Sequence, residues 1–170
     1  NGVEFSEKSF VCLGFNSDIV KLFLQAGMNP GVVVELGYDG TEYGVGDTDV
    51  YTPTRRDAGS ATALIIAAHD ESEKALQILL DHGVDPNIKT YWGSAGGPSR
   101  EERTALIEAI NSGNRTISEL LIEAGAEIEQ SAVNERLVMI ADSGDPEKTK
   151  LLLERFHPDP NTKFSENTNR

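Results

Sequence analysis

Cysteine, aromatic side chains, basic charge and long apolar runs are all scarce in this chain, and each scarcity removes a class of protein. One cysteine in 170 residues, Cys12, cannot close an internal disulfide. A stapled scaffold is therefore excluded, whatever the compartment. No apolar run approaches the roughly 18 residues of a membrane helix. Aromatics make up 6% of the chain, so the core must come from Leu, Ile, Val and Ala, which suits closely packed helices. Fifteen basic residues stand against 28 acidic ones, a formal net charge of −13. A surface of that sign repels phosphate, which argues against nucleic acid and anionic membranes as partners. A protein steered to it by charge would carry a basic face.

Spacings that carry chemistry are also missing. His69, His82 and His157 are scattered, with no His-Glu-x-x-His pair and no paired cysteines. His69 beside Asp70 offers a base and an acid, but adjacent residues on a helix do not face each other, and no nucleophile accompanies them. Gly44 to Asp49 gathers two carboxylates without the spacing of a calcium loop, and reads as a solvated acidic turn. Asn114-Arg115-Thr116 has the form of a glycosylation triplet but reads more simply as a helix cap. Cys12 reads as buried packing. No catalytic residue, cofactor or metal is expected.

What the chain does hold is repetition. Hydrophobic residues make up 38% of it and charged residues 25%, a balance that supports a packed core. Thr62-Ala63-Leu64-Ile65 opens one segment and Thr104-Ala105-Leu106-Ile107 another; each threonine stands 21 residues before a glycine, Gly83 or Gly125. Each segment predicts two short helices, the first capped by Thr62 or Thr104 and the second by Ser72 or Asn114. Gly83 and Gly125 fall just past the second helix, where a left-handed residue is wanted. Neither pair can bury its own apolar face, so neighbours must stack on it. Two degenerate units flank them. Asn16 to Pro30 matches a second helix, with Phe5, Phe10, Val11 and Leu13 ahead of it. Leu137 to Ala141 precedes Gly144, and Asp145-Pro146 starts a last helix in which Phe156 stands where a glycine is expected.

The pattern Thr-x-Leu-x-x-Ala-Ala, a helix, then Leu-Leu-x-x-Gly-x-Asp-x-Asn resembles the ankyrin repeat. The resemblance covers roughly residues 5–30, 62–88, 104–129 and 132–161. It implies an all-α repeat solenoid: an ankyrin-type stack of about four helix pairs with β-hairpin fingers, one domain over 1–161, and a polar tail at 162–170. One departure matters. Ile65 and Ile107 replace the histidine that in the family hydrogen-bonds back to the threonine, so packing must brace that turn.

Ankyrin units recur about every 33 residues. Gly27 to Gly83 spans 56 and Gly83 to Gly125 spans 42, which places insertions at about 31–57 and 89–102. Gly113 to Gly144 spans 31, so the third finger is short. In the first insertion, Val32–Tyr38 and Thr41–Val45 flank Asp39-Gly40 and predict a hairpin, with an irregular return through Thr52–Thr54. The second, Tyr91 to Ser99, is rich in Gly and Ser and predicts a mobile loop carrying Trp92. That tryptophan is either an interface anchor or a lid folded on a neighbouring helix.

The resemblance implies a function in binding another protein with the finger loops and the concave face. Carried over by position, the groove candidates are His69, Asp70, Asn111, Ser112, Asp142 and Ser143, and the finger candidates are Arg100, Glu101 and Arg103. Tyr91, Trp92, Tyr38, Tyr43 and Tyr51 join them on chemical grounds, as aromatics on adaptable loops. A narrower reading is an acidic inhibitor or immunity-type protein that occludes a basic enzyme. Readings of other classes are a ligand- or metal-binding enzyme built on the first insertion, and a fragment of a longer structural solenoid. A monomer is expected. A cytoplasmic location is favoured, with secretion left open by the start at Asn1.

Overall fold

A computed structural model describes residues 16–36, 57–94 and 100–158, together with positions 7, 11 and 13. Seven helices and four strands lie among the described residues. The helices are α1 (Ser17–Gln25), α2 (Ala63–His69), α3 (Glu73–Asp81), α4 (Ala105–Ser112), α5 (Arg115–Glu123), α6 (Gln130–Ser143) and α7 (Pro146–Phe156). Ahead of α1, Glu7 and Val11 are helical and Val11 is buried, at the expected place of a first helix; Phe5, Phe10 and Cys12 lie outside the described residues.

Caps set the helix starts. Thr62 Oγ1 accepts the Ile65 amide and Thr104 Oγ1 the Ile107 amide, both at 3.2 Å. Both isoleucines are buried, so packing does brace the turn. Asn16, Asn114 and Asp145 accept in the same way at α1, α5 and α7. Ser72 is the exception: it occupies the cap position of α3, but its side chain makes no capping hydrogen bond. At the other ends, Gly83 (φ +78°) and Gly125 (φ +90°) take the left-handed conformation that a side chain would oppose. The last helix runs through Phe156 and ends at His157 with φ +46°; histidine is among the non-glycine residues that tolerate this region.

The core is shared between units. In α2, Ala63 to Ala68 are all buried, and in α4, Ala105 to Ile110 are all buried. The alanines let these two helices lie close against each other, while α3 packs on α1 and α5, and α7 packs on α4 and α6. Across the last junction Arg115 reaches Glu154 at 3.4 Å.

Four strands form one antiparallel sheet in the order β1 (Val34–Leu36), β2 (Asp57–Ala61), β3 (Thr90–Ser94), β4 (Arg100–Arg103). Both insertions contribute to it. Val34–Leu36 is a strand, but its described partner is β2, with Val34 opposite Ala61. Asp39-Gly40, Thr41–Val45, Thr52–Thr54 and the acidic turn Gly44 to Asp49 lie outside the described residues. In the second insertion, Tyr91 to Ser94 belong to a strand instead of a mobile loop, because β2 and β4 pair with β3 on its two sides. Backbone pairing overrides the poor strand propensity of glycine and serine here. The third finger holds no strand: residues 126–129 lead straight into α6.

Asn87 ties one unit to the next. Its Nδ2 donates to the Gly125 carbonyl at 2.9 Å, and its Oδ1 accepts the Glu127 amide at 2.8 Å. Asn87→Ala removes both bonds and is expected to cost about 1–2 kcal/mol. The check is a lower urea midpoint at unchanged m-value.

Candidate functional site

The finger side is built on the β3–β4 hairpin, whose strand β4 leads through Thr104 into α4. Tyr91 pairs across with Glu102, and Trp92 with Glu101. Tyr91 is 43% exposed although its backbone N–H donates to Ser60 Oγ, so an aromatic residue is accessible to solvent on a fixed strand. Glu101 is also exposed. The backbone of Trp92 is held by both neighbours; its side chain, on which the anchor and lid readings turn, lies outside the described residues, as does that of Arg100. Tyr38, Tyr43 and Tyr51 lie wholly outside them.

Arg103 is engaged within the chain. Its guanidinium forms a two-point pair with Glu108, Nε to Oε1 at 2.6 Å and Nη2 to Oε2 at 2.5 Å. The side chains are 13% and 6% exposed. The physical reason is Glu108: it lies on the buried face of α4, where an unpaired carboxylate is very costly. Forty-two residues earlier, the equivalent positions are the buried apolar pair Ala61 and Ile66.

The concave-side candidates sit at equivalent ends of three first helices. His69 ends α2 and Asp70 caps it, Asn111 and Ser112 end α4, and Asp142 and Ser143 end α6. All are exposed except Ser112, which is half-buried. The two hydroxyls point back to their own helices: Ser112 Oγ donates to the Ala109 carbonyl at 3.1 Å and Ser143 Oγ to that of Ile140 at 2.6 Å. His69 and Asp70 do face each other, with Nδ1 and Oδ1 2.8 Å apart. The rule for adjacent helical residues fails because Asp70 is the cap, with its backbone already outside the helix. Among the described residues, no group of three or more His, Cys, Asp or Glu could hold a metal ion, and no helix is long and apolar enough to cross a membrane.

Sequence reasoning missed a groove between the second finger and the following turn. It has a volume of about 230 Å³ and is lined by Lys89, Glu102, Thr104, Ile107 and the stretch Glu127 to Glu129, among others. Lys89 Nζ lies 3.1 Å from Glu102 Oε1 and 3.7 Å from Glu129 Oε1. Its ammonium is held above the usual lysine range, first by the hydrogen bond to Glu102 and then by that carboxylate's charge. A raised lysine pKa leaves the pairing complete at neutral pH, and it is lost only as pH rises through the raised value. The available signal was Lys89 itself, the one cation between Lys74 and Arg100.

A family model described as ankyrin repeats, in three copies, matches residues 10–132. The pair α6–α7 lies almost wholly beyond that match. No curated protein matches the chain.

Arg103→Ala is expected to cost about 3 kcal/mol, since it leaves Glu108 buried without its guanidinium. The double change Arg103→Ala/Glu108→Ile copies the apolar pair of the preceding unit and is expected to recover most of that loss. Urea unfolding of the single and double variants measures both.

Proposed function

The chain belongs to the ankyrin-repeat family, whose members are generally protein–protein interaction modules, and from that premise we propose that it binds a protein partner through its finger sheet and the adjoining ends of its first helices. The four units at about 5–30, 62–88, 104–129 and 132–161 are read as one domain over 1–161. The observation that carries the proposal is Tyr91, a half-exposed aromatic on a strand paired on both sides. A side chain held this way loses little conformational freedom on binding, and tyrosine is enriched among the residues that dominate interfaces. Glu101 on β4 is an exposed polar residue of the same hairpin, and His69, Asp70, Asn111 and Asp142 are exposed polar residues at the far ends of the first helices.

The net charge of −13 favours a partner with a basic face, because complementary fields speed encounter and suppress wrong partners. An acidic inhibitor that occludes a basic enzyme is the narrower form of this reading. Recognition is by shape and charge, without turnover, and the working species is a monomer. The alternative enzyme built on the first insertion falls mostly on residues outside the described ones. A longer stack draws on Met139 and Leu153, both exposed on the final helix pair.

Capture from the native lysate tests the proposal. Wild type is expected to retain a basic protein that Tyr91→Ala retains about tenfold less well. Binding should weaken steeply as salt rises from about 0.05 to 0.5 M. Equal retention by both proteins, or indifference to salt, would contradict the reading.

A further inference from the structure

We infer that the groove beside the second finger is a socket for a lysine or arginine side chain of the partner, and that Lys89, on its wall, holds two of its carboxylates until the partner arrives. The inference rests on the interaction-module reading and names the chemistry that one part of the surface selects. Ile107, Ile128 and Ala132 line the groove with hydrocarbon, and Glu102, Glu127 and Glu129 stand at it. A lining of hydrocarbon and carboxylate matches a side chain with a long apolar stem and a charged head. Lys89 shows that these carboxylates receive an ammonium: its Nζ lies 3.1 Å from Glu102 Oε1 and 3.7 Å from Glu129 Oε1.

Three features make Lys89 a replaceable occupant instead of a fixed brace. Its side chain is 47% exposed, so its head can swing into water. Its two partners are 40% and 76% exposed, so neither is lost to the core. Exposed ion pairs of this kind are individually weak and exchange readily. The neighbouring Arg103–Glu108 pair shows the contrast, being buried and joined at two points. Around the groove one cation faces three carboxylates, so a second positive head finds acceptors already in place. A basic side chain on a partner docked against Tyr91 would reach carboxylates on the same hairpin, since Tyr91 and Glu102 are paired across it.

Opposite responses to two changes test the assignment. The probe is a short, capped poly-lysine peptide, titrated while the methyl signals of Ile107 and Ile128 are followed by NMR. Lys89→Ala removes the competing cation and should tighten binding about threefold. Glu102→Gln/Glu129→Gln removes the acceptors and should weaken it about tenfold. Lys21→Ala and Asp18→Asn/Asp81→Asn make the same charge changes on helices α1 and α3, and should leave affinity within about twofold. Shifts confined to the groove methyls with that pattern establish the socket. Shifts spread over isoleucines throughout the chain, or equal responses to Lys89→Ala and Lys21→Ala, overturn it in favour of diffuse attraction to an acidic surface. The module reading is judged separately: a captured partner indifferent to all groove variants would retain that reading and reject the socket.

Discussion

Helices α2 and α4 have almost no surface of their own. Ala63 to Ala68 and Ala105 to Ile110 are buried in unbroken runs, which a helix in contact with water on one side cannot be. Each is covered by its own second helix and by the first helix of the neighbouring unit. At roughly 25 cal/mol per Å² of buried apolar surface, this shared face is the chief source of stability, and neither unit can form it alone. The finger sheet and the helix-end polar residues project from it.

That dependence explains how a chain with glycine-rich insertions can present a fixed finger sheet. Strands β2 and β4 lie next to rigid helices, Ala61 one residue before the Thr62 cap and Arg103 one residue before Thr104. Asn87 fixes the turn of one unit to the turn of the next. Arg103 and Glu108 then lock β4 onto α4. With the hairpin held at its base, Tyr91 and the carboxylates of the groove keep their spacing without needing a partner to order them.

The helices were legible because their signals are local. Threonine caps, alanine runs and trailing glycines mark each pair, and the 21-residue interval repeats them. The strands were less so. Asp57 to Ala61 and Thr90 to Ser94 contain glycine, serine and alanine, which form strands here only because neighbours supply partners. A signal for the pairing of Arg103 was present: Glu108 interrupts the otherwise apolar run Ala105 to Ile110 where the preceding unit has Ile66. A carboxylate on a face that must be buried requires a cation. The groove could not be read in advance, since Lys89 and Glu129 meet across 40 residues through stacking geometry alone.

The most direct test of the shared core is native-state hydrogen exchange at the amides of α2 and α4 in increasing denaturant. If the two helices stabilise each other, the slowest amides of both will converge on one opening free energy equal to that of global unfolding. Independent opening, with α4 exchanging at clearly lower free energy while α2 stays protected, would contradict the account.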